Sequence, residues 1–161
     1  MKVTRVLLVG AAAGYVAGQV MDKATTWFYE RQSDASKQRE GELLPEGAPM
    51  ASARKLAGLV GAEPTDEQTG QIATAMHQSL GQLYGVGAAA LTRAGVPPVT
   101  AGMASGVAGF LLVDELANSL FFTPPPQAYP VESHLRGVVG HLAFGATLGV
   151  LLAVARRLRL L

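Results

Sequence analysis

Four ionisable side chains stand within or at the edges of long apolar stretches of this chain: Asp22, His77, Asp114 and His141. Carboxylates and imidazoles exchange protons, and histidine is the side chain whose charge normally changes near neutral pH. The same imidazoles can ligate a metal or a haem iron, and all four groups can hydrogen-bond between helices. Ionisable residues in apolar surroundings are costly, so these four positions are the candidate functional site.

Three of these residues continue rows of small residues spaced by four. Asp22 follows Gly18, His77 follows Ala73, and His141 lies between Gly137 and Gly145. Residues four apart share one face of a helix, so the spacing predicts that these side chains face other helices and not lipid. A rise of about 1.5 Å per residue places both histidines roughly 10 to 15 Å from one end of their helices, near the end that carries both aspartates.

The elements that position these residues are four stretches without Asp, Glu, Lys or Arg, at residues 6–21, 68–92, 94–113 and 137–155. A bilayer core of about 30 Å is crossed by about 20 apolar helical residues. Only 16% of the 161 residues are charged, and their segregation between the stretches predicts an all-α integral membrane four-helix bundle. The predicted helices cover about residues 3–29, 66–93, 98–122 and 132–158, in one membrane domain over residues 1–161.

Helix boundary signals agree with this division. All nine prolines lie outside the charge-free cores of the helices, so we expect no helix to be interrupted. Thr65 and Gln68 match a capping box that opens the second helix. Gly95 is expected to end that helix, and Pro98 to open the third.

Residues 30–64 form the predicted extramembrane segment. Residues 30–40 are polar on every side and are typical of a solvated extension of the first helix. Residues 51–59 predict a second short helix, with apolar positions 53, 56, 57 and 60 on one face. Such a helix fits equally well on a membrane surface or as a cap over the bundle.

Small residues are expected to carry the helix packing, because helices in a bilayer associate through close contact and hydrogen bonds. The predicted packing positions are Gly10, Gly14, Gly18, Gly81, Gly85, Gly102, Gly106, Gly137, Gly145 and Gly149. These rows favour packing within the chain, and they leave open contacts with a second copy or with another membrane subunit.

Basic residues predict the orientation and the location of the chain. Six of them, and no acid, occupy the side with both termini: Lys2, Arg5, Arg93, Arg156, Arg157 and Arg159. All twelve acids lie on the other side. The positive-inside rule then places both termini in the cytoplasm of a multi-pass protein of the bacterial inner membrane.

Several functions lack support in the sequence. There is no cysteine, no GxSxG nucleophile turn and no GxxxxGK phosphate loop, and the basic residues are few and mixed with acids. We therefore predict no enzymatic activity, no metal site and no nucleic-acid partner. The polar residues leave three readings open: hydrogen bonds that fix packing, a titrating proton relay or pH sensor, or a b-type haem held by His77 and His141. We expect no cofactor, with haem as the alternative.

Residues 123–157 also carry a family resemblance. They contain Thr-Pro-Pro-Pro, then Pro130 followed by an acid and a serine, then Gly140-His141, and finally Arg156-Arg157. Together with His77 and the later Tyr84-Gly85, this pattern resembles the YagU-like bacterial inner membrane proteins over about half the chain. The resemblance implies an inner-membrane location and a link to acid tolerance, with His141 the position most clearly carried over.

These observations predict a non-enzymatic membrane protein, a structural or accessory subunit that packs against lipids and against other membrane helices, its own or a partner's. The alternative prediction is a small proton- or ion-responsive channel or pH sensor that uses Asp22, His77, Asp114 and His141.

Overall fold

The structure is a computed structural model that describes residues 2–161, apart from the side chains of Lys2 and Asn118. Over this range the chain is entirely helices and turns, without a strand. In chain order the helices are α1 (Lys2–Arg31), α2 (Asp34–Leu43), α3 (Ala48–Leu59), α4 (Asp66–Arg93), α5 (Pro98–Gly109), α6 (Asn118–Phe121) and α7 (Val131–Arg157). A π-helical segment (Phe110–Ala117) joins α5 to α6, and a 3₁₀ turn (Pro126–Ala128) precedes α7.

The start of α4 confirms the predicted capping box. The Thr65 backbone N–H donates to Gln68 Oε1 at 2.9 Å, and the Gln68 backbone N–H donates to Thr65 Oγ1 at 3.3 Å. Two backbone donors that the helix leaves unpaired are thereby satisfied. At the other end, Gly95 adopts a φ of 104°, which favours glycine, and the chain turns directly into α5 at Pro98.

The polar segment after α1 differs from its prediction. It forms a separate helix, α2, and not an extension of α1, because Ser33 caps the new helix by accepting a hydrogen bond from the Ser36 backbone N–H at 3.3 Å. The backbone N–H of Ser33 also donates to Glu132 Oε2 at 2.7 Å, which ties this turn to the start of α7.

Helix α3 packs against α4. Its alanines at 53 and 57 are buried, whereas Leu56 and Val60, which were predicted to share their face, are exposed. Arg54 reaches Glu46 at 3.0 Å and Asp66 at 2.9 Å, and so links α3 to its own preceding loop and to the first turn of α4.

The third predicted helix is interrupted, which corrects the expectation that all four would be continuous. Its middle part, Phe110–Ala117, winds as a π-helix. A π-helical turn holds more residues than an α-helical turn, and such turns occur often at functional sites. Proline marks no break here, so the sequence carried no signal for this change. The segment contains Asp114 and Glu115, which both contact α7.

Helices α1 and α5 each pack against both α4 and α7. The buried core between the four helices consists of small residues and a few large ones, with Leu148 and Leu152 fully enclosed. Within residues 2–161, three segments are long and apolar enough to cross a membrane: Val3–Arg31, Pro98–Phe121 and Val131–Arg157. Helix α4 is not among them, because glutamines and His77 lower its hydropathy, so four crossings stay a prediction.

Nine of the ten predicted packing glycines lie against another helix of the same chain. A Cβ at Gly14 would clash with the carbonyl oxygen of Gly81, and one at Gly102 would lie 2.5 Å from that of Gly145. The α1–α4 and α5–α7 backbones therefore touch directly. Gly18 is the exception, because a Cβ there would meet nothing within 4 Å.

We expect Gly14→Ala to destabilise the protein by about 1–3 kcal/mol, because the methyl group forces two backbones apart. Gly18→Ala, on the same helix row, should be neutral or slightly stabilising, because alanine favours helix and space is open. Unfolding of both variants in detergent, followed by circular dichroism, measures the difference. Equal stability of the two variants would contradict the packing described here.

Candidate functional site

Every one of the three histidines in this chain faces a carboxylate from a different element. The pairs are His77 Nε2 with Asp22 Oδ1 at 2.9 Å, His134 Nδ1 with Glu115 Oε1 at 2.7 Å, and His141 Nε2 with Asp114 Oδ2 at 3.1 Å. The first pair joins α1 to α4, and the other two join the π-helical segment to α7. The structure thus brings all four predicted site residues together as two pairs and adds a third pair.

The Asp22–His77 pair is the most open of the three. The side chains are 50% and 41% exposed. The His77 Nε2 atom itself is inaccessible, and its contact with Asp22 lacks the angles of a hydrogen bond. At 2.9 Å the two side chains form an ion pair when the imidazole is charged, whereas a neutral imidazole gains little stabilisation from the contact.

The Asp114–His141 pair lies deepest, with the His141 side chain only 11% exposed. The imidazole has room because residue 109 is glycine: a Cβ there would lie 2.9 Å from His141 Nδ1. The Phe110 ring covers one side of the imidazole, with the ring centroids 5.9 Å apart. The carboxylate comes from the π-helical segment, whose altered winding sets its direction.

The contacts of the Glu115–His134 pair require a proton between the Glu115 carboxylate and His134 Nδ1. His134 Nε2 lies 3.0 Å from the carbonyl oxygen of Pro126, and a carbonyl only accepts, so Nε2 carries the hydrogen. A neutral imidazole then has no hydrogen on Nδ1, which lies 2.7 Å from the Glu115 carboxylate. Both contacts are hydrogen bonds only when the ring is charged or when Glu115 holds the proton.

These pairs line a connected space between the helices. A cavity of about 560 Å³ is lined by both members of the Asp22–His77 and Glu115–His134 pairs, and by Asp114. A smaller cavity of about 60 Å³ continues it inward to His141, Tyr84 and Ser105. We call the two together the cleft. They share Met21, His77, Leu80, Val113 and Asp114. The inner cavity has room for about two water molecules.

A second network ties α2 to α7 beside the cleft. Arg136 donates to Glu40 Oε2 at 2.8 Å and to Gln32 Oε1 at 2.9 Å, and its guanidinium lies 5.2 Å from the centre of the Tyr29 ring. Ser133 also donates to Glu40, at 2.6 Å. Burial raises the pKa of Glu40, but the hydrogen bonds from Arg136, Ser133 and Gln32 outweigh it, so the pKa lies below its ordinary value of 4.5.

The donor set does not favour the cofactor alternatives. Among the described side chains, no group of three or more potential ligands converges to hold a metal ion. Haem between His77 and His141 would compete with carboxylates that already face Nε2 of both rings. The arrangement suits proton exchange better than iron ligation, and the expectation of no cofactor stays a prediction.

Sequence reasoning missed His134, Arg136 and Glu40. His134 and Arg136 lie four and six residues after Pro130, in the first turns of the predicted helix 132–158 and before its charge-free stretch at 137–155. The one available signal was the small number of histidines. The chain has three, and two of them were already predicted to lie near the helix end that carries both aspartates. No local pattern links Glu40 to Arg136, because 95 residues separate them.

No family model matches the chain, and neither a curated protein nor a solved structure is significantly similar to it.

The lowered pKa of Glu40 predicts a pH-dependent contribution to stability. The contribution is complete above the ordinary value of 4.5 and is lost as pH falls through the lowered folded-state value. We expect Glu40→Gln to cost about 1–2 kcal/mol at neutral pH and progressively less as acid protonates Glu40 in the unmodified chain. Thermal unfolding from pH 7 to about pH 3 measures this convergence.

Glu42→Gln, on the same helix, is the matched control, because Glu42 is 54% exposed and contacts only exposed neighbours of its own helix, Gln38 at 3.0 Å and Arg39 at 3.8 Å, among the contacts described. It should be near neutral at every pH. If Glu40→Gln lowered the free energy of unfolding by the same amount at every pH, the charge of Glu40 would not be the source of its stabilising effect.

Proposed function

We propose that this protein is a four-helix membrane protein, non-enzymatic, that senses protons through histidine–carboxylate pairs between its helices. The observation that carries this proposal is that all three histidines of the chain face carboxylates across a helix interface. Polar residues that serve only as packing contacts have no need to be histidines, since serine, threonine or asparagine can bridge helices without a charge change.

Protonation changes what each pair does. A charged imidazole attracts its carboxylate, and the attraction is stronger between helices than in water because the surroundings are less polar. Each pair spans two elements and is already closed at 2.7–3.1 Å, so charging the rings holds α1 more firmly against α4 and the π-helical segment more firmly against α7. Acid should therefore tighten the end of the bundle that holds the cleft.

The inner end of the cleft favours a sensor over an open pore. Beyond the 60 Å³ cavity the helices meet in a packed core, where Ala88, Ala101, Leu148 and Leu152 have no exposed surface. A conducting path would have to open this core. The conformation described here binds or releases protons from one side only.

An accessory or structural role is the second proposal. It gains support from large exposed apolar side chains on α1 and α5, such as Leu8 and Val99, which fit lipid or another subunit. It is weaker than the first because nine of the ten glycines that suggested partner contacts are used within the chain. In both proposals the bacterial inner membrane is the location, with cytoplasmic termini. The resemblance to YagU-like proteins and its link to acid tolerance agree with proton sensing.

We expect the cleft end of the bundle to narrow when pH falls from about 8 to about 5.5, the interval in which histidine changes charge. The chain has no cysteine, so spin labels at Thr26→Cys on α1 and Leu120→Cys on α6, both exposed positions, report one distance without background. Pulsed electron paramagnetic resonance in nanodiscs should show a shorter or narrower distance distribution in acid.

Replacing His77, His134 and His141 together by glutamine should abolish this response, and His141→Ala alone should reduce it. Glu63→Gln, at an exposed loop acid, is the control and should respond as the parent does. An identical response in the triple variant, or no response in the parent at any pH, would contradict proton sensing.

A further inference from the structure

We propose that the cleft binds a small organic cation with an apolar body, and that protonation of His77 and His141 expels it. This inference rests on the proposed proton-sensing function, because it uses the same pairs, and it adds the class of ligand that the site would take. Three independent features of the cleft support it: its volume and lining, its net charge, and the acceptor atoms that its pairs leave open.

The size and lining of the outer cavity are those of a small-molecule site. Its volume of about 560 Å³ lies within the range of about 300–1,000 Å³ that is typical of ligand pockets. Much of the wall is apolar and comes from several different elements, so a ligand there would lie in an open cleft between helices. The apolar wall includes Met21, Met76, Leu80, Phe110, Val113 and Pro124.

The charges around this wall select a cation. Two ion pairs are already closed, Glu115 with His134 and Glu40 with Arg136, so neither leaves a net charge. The carboxylates of Asp22 and Asp114 remain, and they face His77 and His141. With those two imidazoles neutral, the cleft carries two net negative charges beside an apolar wall. A cation is the ligand that satisfies both features.

Acceptor atoms are available for such a ligand. Asp22 uses one oxygen, Oδ1, toward His77, and Asp114 uses one oxygen, Oδ2, toward His141. A carboxylate has about four acceptor positions, and a primary ammonium group has three donors. An ammonium group can therefore bind to the free oxygen of either aspartate without breaking a pair, while its carbon body lies against the cavity wall that includes Phe110 and the methionines.

Protonation reverses this preference. Charging His77 and His141 cancels the two free negative charges and holds both aspartates in ion pairs, so a cation loses its attraction to the site. The ionisable groups around the cleft, from every element packed against it, are Asp22 on α1, Glu40 on α2, His77 and Tyr84 on α4, Asp114 and Glu115 on the π-helical segment, Tyr129 in the loop, and His134, Arg136 and His141 on α7. Within this set, the contacts of His134 already require a proton on its pair with Glu115, whereas the contacts of His77 and His141 do not. Histidine is the side chain whose charge normally changes near neutral pH.

The probe for this proposal is 2-phenylethylammonium, which keeps its charge throughout the range because alkylammonium groups lose their proton only near about pH 10. Its neutral analogue 2-phenylethanol and the anion 3-phenylpropanoate serve as comparison ligands. Isothermal titration of the whole protein in nanodiscs, with empty nanodiscs as the blank, measures each Kd at about pH 8 and about pH 5.5.

We expect the cation to bind at the higher pH and to bind at least about tenfold more weakly at the lower pH. Asp114→Asn and Asp22→Asn should each weaken it by a similar factor, while Glu63→Gln leaves it unchanged. Asp22 is half exposed, so its variant remains informative if Asp114→Asn does not fold. Helical circular dichroism verifies folding of both variants.

Equal affinity for the neutral analogue, preference for the anion, or no binding of the cation at either pH would overturn the proposal. These failures are distinct from failure of proton sensing, because the spin-label distances would still respond to pH. A cation that binds equally at both pH values would instead overturn expulsion by protons and count against the sensing function as well.

Discussion

A carboxylate at a helix interface needs a partner that donates a hydrogen bond or carries a positive charge, and this requirement organises the functional end of the molecule. Asp22, Asp114 and Glu115 each meet it with a histidine from a neighbouring element. Removing a carboxylate from water costs free energy, and this cost falls more on Glu115 and Asp114, which are 26% and 37% exposed, than on Asp22, which is half exposed. Histidine is the unusual choice of partner, because the strength of its bond to a carboxylate depends on pH.

Close backbone contact elsewhere makes these pairs possible. The glycine rows let α1 and α5 approach α4 and α7 without side chains between them, and the same rows end where the cleft begins. Gly18 and Gly109 show the transition: a Cβ at residue 18 meets open space, and one at residue 109 would press on His141. The positions of the small residues thus explain both the tight packing at one end of the helices and the polar space at the other. The cleft can change shape while the packed end holds the helices together.

Much of the helical framework could be predicted from the sequence, because charge-free stretches, prolines and a capping box are local signals that local physics decides. The helix from Asp66 to Arg93 was predicted with its exact bounds. The candidate site was predicted in part: Asp22, His77, Asp114 and His141 were identified, but their pairing was not. The pairing of Asp114 with His141 depends on the π-helical winding of Phe110–Ala117, which no residue in that segment marks. The contact of Glu40 with Arg136 depends on the path of the loop that carries α2, and no periodicity encodes that path.

The most direct test of this account observes the imidazoles themselves in a bilayer. Magic-angle-spinning NMR of the protein with labelled histidine, aspartate and glutamate detects contacts between ring nitrogens and carboxylate carbons, and it distinguishes neutral from charged rings. We predict three such contacts at about pH 8, and conversion of His77 and His141 to charged rings by about pH 5.5 while the contacts persist. Rings without carboxylate contacts, or His77 and His141 rings whose charge stays the same across this interval, would contradict the proposal that histidine–carboxylate pairs sense protons in this protein.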